Sequence, residues 1–548
     1  MKTRLITALI CIGFLPLQAR PAAQARGDFE ISGRLVNSVT GEAIRGATMQ
    51  LAPVTERSQT QHVDSASDGS FAFRSLPAAK YSLSALAQGY PPQFFEQHGQ
   101  FNTGVVTGPD KTSTGLIFRL NPEGAISGKV LDEHNEPVRT AQILLFEKSN
   151  DTGRRLIERR SQAQTNDLGE YHLTHLREGT YYLALAAQPW YRRYLAPMMR
   201  SVGTGQPKAE MDPALDVAYP VTYYPGTTDA DGAGALIVHP GDRLTADFDL
   251  TPVQSLHLTI PTGTSEGGPP MQPNFRERVF GEPWGFVQPN IVWGQGEIQV
   301  SGIAPGDYEV NFSQRGNRRP DGMDFSGPGE RSVKTQQLNL QSDGELDPSS
   351  GVDLESIHGT IKFEGASPPN NSFIQLRDLN TGRLFGARAD AKGEFQLQPR
   401  HAGRYVMALA NAPGYAIQSI SATGARVSGR TIEFTGTQAA ELTVKASQGV
   451  GTINGTVMNG DKPLSGALVM LVPPDVADNL SLFRRDQSDS DGTFILNDVV
   501  PGSYTAVAIQ NGWDMEWASP EALRPYLAKG TRVEITGKQA LDIKVAAQ

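Results

Sequence analysis

His175 and Glu178 are the first residues whose spacing suggests chemistry, because His-x-x-Glu is a spacing found between two zinc ligands. His172 lies three residues before His175, but a zinc site needs further ligands and the neighbouring sequence offers none. The same residues fall at the bend of a predicted hairpin. We therefore expect a polar turn here, with no catalytic residue and no bound metal.

Two acidic segments resemble the opening of a calcium loop, namely Asp489-Ser-Asp491-Gly492 and Asp229-Ala-Asp231-Gly232. An EF-hand loop requires further oxygen ligands and a glutamate at its twelfth position, which neither segment supplies. Short polar side chains of this kind also favour tight turns. We expect bends that need no cofactor, and calcium at the first segment remains an alternative.

These turns belong to a unit that recurs five times. In each copy a glycine is followed twelve residues later by a tyrosine, and large apolar residues stand two and four positions after the glycine. The pairs are Gly69/Tyr81, Gly169/Tyr181, Gly296/Tyr308, Gly393/Tyr405 and Gly492/Tyr504. A spacing kept in five copies indicates one structural unit repeated along the chain.

Each unit is expected to contain a β-hairpin. Alternating apolar residues after the glycine bury one face of a strand, and a small residue two positions before the tyrosine reverses the chain. Four hairpins follow a strand with an internal glycine, which marks a bulge or a close backbone approach; these are Gly33, Gly128, Gly359 and Gly455. Without long helical segments between the strands, the pattern favours antiparallel β-sandwiches. A helix is expected from Pro520 to Lys529, with Ser519 as its N-cap.

The amino terminus has the features of a secretory signal peptide. Lys2 and Arg4 precede an apolar run from residue 5 to residue 17, and Ala23-Gln24-Ala25 fits a cleavage site. The run is too short to span a bilayer comfortably, so no transmembrane anchor is expected. Cys11 is the only cysteine and would leave with this segment, with lipid attachment as an alternative. We expect a secreted or periplasmic protein without disulfides.

Composition and charge favour a turn-rich β protein and disfavour a nucleic-acid-binding one. The 548 residues include 57 glycines and 37 prolines, which suits a turn-rich β protein. The formal charge of -9 becomes -12 once Lys2, Arg4 and Arg20 are removed with the signal peptide, which disfavours a nucleic-acid partner. The densest basic stretch, residues 154–160, includes Glu158 and is expected to be a solvated loop.

The order of residues in the repeat resembles the carboxypeptidase regulatory-like domain, a transthyretin-like sandwich related to the B-type repeats of collagen adhesins. The fifth copy carries the resemblance through Gly455, Pro463, Gly466, Ala467, Asp489, Asp491, Gly492, Phe494, Pro501, Gly502 and Tyr504. The third copy keeps only its hairpin. The resemblance implies a carbohydrate-binding-like fold and a non-catalytic role.

The fold class that we expect is therefore all-β, a tandem array of about five prealbumin-like antiparallel β-sandwiches. The expected segments are 1–25 (signal peptide), 27–122, 123–252, 253–346 (divergent), 352–447 and 448–548. The linker at 341–351 is expected to let the third and fourth copies move relative to one another.

Aromatic residues after the hairpins are the candidate ligand-binding residues, since flat rings on loops stack against sugars or apolar side chains. They are Tyr90, Phe94, Trp190, Tyr191, Tyr223, Tyr224, Trp513 and Trp517. The alternative is that they cap the cores or join neighbouring sandwiches. We expect a non-enzymatic binding or scaffolding protein whose partner is a polysaccharide or a cell-surface protein. A purely structural spacer and a cryptic hydrolase that uses His175 or Glu178 are the other hypotheses.

Overall fold

The computed structural model describes residues 27–191, 215–261, 271–285, 288–294, 296–314, 334–350, 352–353, 357–364, 369, 371–397, 402–435 and 438–548. The predicted signal peptide lies outside these residues. Among them, no helix is long and apolar enough to cross a membrane.

The described strands form five sandwiches, numbered here along the chain. Sandwich 1 contains the strands Phe29–Asn37, Thr48–Pro53, Gln61–Asp64, Ser70–Leu76, Lys80–Ala87, Tyr90–Phe94, Val105–Val106 and Leu116–Leu120. Sandwich 2 contains Gly124–Leu131, Gln142–Ser149, Leu156–Gln164, Glu170–Leu176, Gly179–Ala186, Val217–Ala218, Thr222–Tyr223, Leu236–Val238, Arg243–Thr245 and Phe248–Asp249. The short strand Val253–Gln254 pairs with Val217–Ala218 at the junction with sandwich 3.

The other three sandwiches follow the same plan. Sandwich 3 contains Leu256–Pro261, Met271–Val279, Glu282–Trp284, Asn290–Trp293, Glu297–Ile303, Gly306–Gln314, Lys334–Leu340, Gly344–Glu345 and Val352–Asp353. Sandwich 4 contains Ile357–Phe363, Phe373–Asp378, Leu384–Arg388, Glu394–Leu397, Gly403–Ala410, Tyr415–Thr423, Arg426–Ser428, Thr431–Phe434 and Ala440–Gln448. Sandwich 5 contains Gly451–Asn459, Lys462–Pro463, Leu468–Val472, Arg484–Gln487, Thr493–Val499, Gly502–Ile509, Thr531–Ile535 and Ala540–Ala546, with the helix Pro520–Leu527.

Each sandwich has its own apolar core between two sheets. In one sheet of each sandwich, the opening strand pairs antiparallel with the first strand of the hairpin. In the other sheet, the second strand of the hairpin pairs antiparallel with the next long strand after the opening strand, which is Thr48–Pro53 in sandwich 1. The all-β array of five sandwiches is therefore confirmed.

Each sandwich also has parallel pairing on its opening strand, and in sandwich 2 that strand pairs with both Arg243–Thr245 and Phe248–Asp249. In sandwich 1 the closing strand Leu116–Leu120 runs parallel to the opening strand Phe29–Asn37, and the other sandwiches have the same parallel pairing. A parallel pair needs a long connection, and the rest of the sandwich provides it. In sandwich 3 this closing strand is Gly344–Glu345, whereas the preceding strand Lys334–Leu340 lies in the opposite sheet.

The repeated glycine and tyrosine each have a structural reason. The five turn glycines all have positive φ, between 75° at Gly169 and 86° at Gly296, where a side chain would be strained. The tyrosines are buried, and four are seen to donate their hydroxyl hydrogen to the carbonyl oxygen four residues earlier: Tyr81, Tyr181, Tyr308 and Tyr504. The hydrogen bond fixes the hairpin corner without leaving a buried hydroxyl unsatisfied.

The glycines inside the opening strands mark close approaches, as predicted. Each lies opposite the first large residue of the hairpin, in the pairs Gly33/Phe71, Gly128/Tyr171, Gly359/Phe395 and Gly455/Phe494. A Cβ atom added at Gly455 would lie 2.2 Å from Cζ of Phe494. The Phe494 ring therefore fills the space that the side chain of any residue larger than glycine would need at position 455.

A second recurrent contact was not predicted. The Ser65 hydroxyl accepts a hydrogen bond from the Ala47 amide and donates one to the Ile44 carbonyl. Thr165 and Ser488 make the equivalent pair of bonds in sandwiches 2 and 5. These hydroxyls stand four residues before the turn glycine, so the spacing could have revealed them; Ala389 occupies the place in sandwich 4.

The predicted linker between sandwiches 3 and 4 makes ordered contacts with sandwich 3, although most of its described residues are exposed. Leu346 is buried in the core of sandwich 3, and Gln336 donates to the Asp347 carbonyl. The sheet of sandwich 3 then continues to Val352–Asp353, which pairs with Lys334 and Thr335. The helix Pro520–Leu527 is confirmed, with the Ser519 hydroxyl accepting from the Ala522 amide.

Candidate functional site

Sandwich 5 folds back on sandwich 1 through the acidic turn that resembled a calcium loop. Asp489 is 1% exposed and accepts from the Gly104 amide at 3.0 Å, while the Lys80 Nζ lies 2.6 Å from its other oxygen. The Ser490 amide donates to the Gly104 carbonyl at 2.9 Å. Lys111 pairs with Asp491 at 2.8 Å. We call this contact between sandwiches 1 and 5 the clasp.

Further contacts extend the clasp. The Gln487 side chain is buried and donates to the Glu96 carbonyl and to the Thr103 hydroxyl. Burial raises the pKa of Asp489 to about 6, against the opposing effect of the Lys80 charge. The carboxylates of Asp489 and Asp491 therefore help to hold sandwiches 1 and 5 together. The amines of Lys80 and Lys111 lie beside them, where a calcium ion would have to bind.

Trp513 and Trp517 both lie in these interdomain contacts. The Trp513 ring stacks on His98 of sandwich 1 with centroids 4.7 Å apart and the planes 5° from parallel. Trp517 is 8% exposed, lies under the Arg485 guanidinium at 4.0 Å, and packs against Gly153 of sandwich 2. Desolvation lowers the pKa of Arg485 to about 10. These two tryptophans join sandwiches, which is the alternative that the sequence left open.

Tyr223 and Tyr224 also lie near a junction. Tyr223 is buried between sandwiches 2 and 3, where its ring meets Phe280 edge-on at 4.8 Å. Tyr224 is half-buried and packs against Phe248 in the core of sandwich 2. A cleft of about 510 Å³ lies beside Tyr223, and its acidic lining residues are Asp229, Asp231, Glu277 and Asp307.

Burial raises the pKa of Glu277, which lies at this junction, to about 8 from its ordinary 4.5. Between these values the folded protein holds a proton that the unfolded chain has released, so stability falls as pH rises through this window. We expect Glu277→Gln to match the wild type near pH 4.5 and to raise Tm by about 2 °C or more at pH 8.5. Calorimetry across this range checks it, and a difference that does not change with pH would refute it.

The remaining predicted residues lie closer to the surface. Trp190 is 64% exposed and meets the half-buried Tyr191 edge-on at 5.6 Å. The Tyr191 hydroxyl donates to Glu133, as does that of Tyr219. Phe94 is 42% exposed at the end of a strand of sandwich 1, and half-buried Tyr90 accepts a hydrogen bond from Asn37.

Phe94 lines a polar cleft of about 450 Å³ where sandwiches 1, 2 and 5 meet. Its lining residues are Gln93, Phe94, Glu96, Gln97, His98, Arg119, Asn121, Glu178, Ser465, Gly466, Gln510 and Asn511. In the described part of the chain, the side chains of Arg119, Glu178 and Asn511 have no hydrogen-bond partner. We call the cleft lined by these residues the polar cleft. It brings Phe94, a predicted aromatic residue, together with amide, carboxylate and guanidinium groups that were not predicted from the sequence.

His175 and Glu178 do not form a metal site with their neighbours in the described chain. His175 has a positive φ of 59° at the exposed hairpin bend, and its Nε2 lies 3.6 Å from a Glu123 oxygen. The only group of three described metal-ligating side chains close enough to share an ion is Asp132, Glu133 and His134, with two of them exposed. Glu178 instead lies at the rim of the polar cleft.

Residues 30–120 match the family model of the carboxypeptidase regulatory-like domain. Sandwich 1 is therefore similar to a carboxypeptidase regulatory-like domain. Sandwiches 2, 4 and 5 share with sandwich 1 the internal glycine of the opening strand and the parallel closing strand. No curated protein matches the sequence.

Several solved structures resemble the chain. The Bacillus anthracis TIE protein is 11% identical, with 96% of this chain and 75% of that one covered and a TM-score of 0.18. A streptococcal ancillary pilin is 10% identical, with 54% and 99% covered and a TM-score of 0.19. The major pilin subunit of Bacillus cereus is 11% identical, with 77% and 99% covered and a TM-score of 0.14. At these identities and TM-scores the likeness defines neither the arrangement of the five sandwiches nor a function.

Proposed function

We propose that the protein is an exported, non-enzymatic binding and scaffolding protein that recognises a polysaccharide at the polar cleft. The observation that carries this proposal is the combination of an exposed ring, Phe94, with unpaired polar side chains in one cleft. Sugar rings present apolar faces that stack on aromatic rings and hydroxyl groups that bond to amides and charged groups. Arg119, Glu178 and Asn511 are placed to make such bonds.

The scaffold supports this role by holding the cleft walls together. Gln93 and Asn121 are joined by two hydrogen bonds within sandwich 1, and the clasp fixes sandwich 5 on the opposite wall. A preformed cleft loses less conformational entropy when a ligand binds. The regulatory-like domain is also the non-catalytic companion of a peptidase in the family for which it is named, which fits a binding role.

We expect Phe94→Ala to weaken retention of a polysaccharide about tenfold or more, because removing a central aromatic contact commonly costs about 2 kcal/mol of binding. Its Tm should change little, since the ring is exposed. Val39→Ala is a suitable control, because Val39 is an exposed apolar residue of the same sandwich that does not line the cleft.

A glycan array on residues 26–548, with a protein pull-down beside it, tests the proposal. Retention of one class of polysaccharide that Phe94→Ala abolishes and Val39→Ala preserves supports it. If polysaccharides of varied linkage all fail to bind, recognition of carbohydrate is refuted. A protein partner lost in the same variant would then favour a cell-surface protein, and no partner of either kind would favour a structural spacer. Turnover of an ester or peptide would instead favour a hydrolase.

A further inference from the structure

The basic stretch at 154–160 lies at a junction of sandwiches. It enters the strand Leu156–Gln164 at the edge of a sheet in sandwich 2. Arg160 pairs with Glu147 at 2.5 Å, but Arg159 instead faces residues of sandwiches 3 and 4. The stretch is therefore largely an edge strand, where a loop was predicted, and Arg155, Arg159 and Arg160 are exposed.

Arg159, Arg276 and Arg383 line one cleft of about 290 Å³, which we call the arginine cleft. They come from sandwiches 2, 3 and 4 respectively. In the described chain no carboxylate oxygen lies within 4.0 Å of any of the three guanidinium groups. Glu282 is the only acidic lining residue, so the cleft holds three positive charges against one negative.

Trp284 lines the same cleft with its ring. The ring lies under the Arg159 guanidinium, 4.6 Å from the guanidinium carbon to the ring centroid. Stacking of this kind orients the guanidinium group at the cleft wall.

The remaining lining favours a strong interaction with a charged group. Leu144, Phe146 and Val279 form an apolar wall, and such a wall strengthens electrostatic attraction by excluding water. The whole chain carries a formal charge of -9, so general attraction of polyanions is not expected. A local excess of arginine in an acidic protein therefore indicates a particular site.

We propose that the arginine cleft binds an oxyanionic group, a carboxylate or a sulfate, held by the guanidinium groups of Arg159, Arg276 and Arg383. Guanidinium groups form paired hydrogen bonds with the two oxygens of a carboxylate or sulfate. The site is separate from the polar cleft, and it does not depend on the function proposed there.

Isothermal titration of the mature chain tests this site, with sodium sulfate and a trimer of galacturonic acid as probes and a neutral trisaccharide as the reference. Sodium chloride keeps the ionic strength constant, so that screening alone does not change binding. Arg276→Gln and Arg383→Gln each remove one of the three positive charges of the cleft. Arg139→Gln is the control, because Arg139 is an exposed arginine of sandwich 2 outside the cleft. Circular dichroism checks that each variant is folded.

We expect saturable binding of at least one anionic probe, about tenfold weaker in Arg276→Gln and in Arg383→Gln. Arg139→Gln and Phe94→Ala should leave the affinity unchanged. Binding of sulfate alone identifies a small free anion as the ligand, and binding of the uronic acid trimer identifies an acidic sugar. The proposal is overturned if neither probe saturates, or if Arg276→Gln binds as tightly as the wild type.

Discussion

Asp489→Ala is expected to open the clasp between sandwiches 1 and 5. The substitution leaves Lys80 without its partner and the Gly104 amide without its acceptor in a buried contact. Removing one member of a buried pair typically costs about 3 kcal/mol, even where the intact pair itself contributes little. Hydrogen exchange should show lost protection of the Gly104 and Ser490 amides, and X-ray scattering should show a larger radius of gyration.

Asp489→Asn is the matched control for this prediction. The amide oxygen still accepts from Gly104, and Lys80 is 26% exposed and can reach water. Since burial raises the pKa of Asp489 to about 6, the neutral side chain is the better tolerated form, and Asn should cost far less than Ala. Equal opening in both variants would show that the charge, rather than the hydrogen bond to Gly104, holds the clasp.

Gly455→Ala is expected to destabilise sandwich 5 by about 1–3 kcal/mol, the usual cost of overpacking a core. The added Cβ would lie 2.2 Å from Phe494 Cζ, and that ring is 1% exposed and cannot move into solvent. The loss should appear as a lower calorimetric transition and faster hydrogen exchange along Gly451–Asn459. Gly537→Ala is the control, because nothing lies within 4 Å of the Cβ that it would add.

A double substitution isolates the cause. Phe494→Leu shortens the side chain that meets the new methyl group, so Gly455→Ala should cost less in that background than in the wild type. Additive costs would show that the two positions do not interact, and the role assigned to the internal glycines would then be wrong.

The local parts of the fold could be predicted because their causes lie close together in the sequence. A turn glycine at Gly492 and a tyrosine at Tyr504 define one hairpin, and alternation of apolar residues fixes which face is buried. Ser488 follows the same rule, because its hydroxyl stands at a fixed spacing before the turn glycine. The parallel pairing of opening and closing strands depends on residues about a hundred positions apart, which no local pattern encodes.

The candidate site was less predictable, because the docking of whole sandwiches decides which loops remain exposed. The sequence selected Trp513 and Phe94 by the same criterion, but only Phe94 keeps an exposed face. Asp489 was predicted to lie in a bend, and its partner Gly104 lies 385 residues away. The binding role of the predicted aromatic residues stays a prediction, now centred on the polar cleft.

Zero-length cross-linking of the dilute purified protein tests the closed arrangement most directly. A carbodiimide joins a lysine amine to a carboxylate that it already contacts, and Lys111 lies 2.8 Å from Asp491. We predict that mass spectrometry finds these two residues joined within one chain, and that Asp489→Ala reduces the yield. Cross-links of Lys111 to other sandwiches only, or between chains only, would contradict the clasp and the closed scaffold that depends on it.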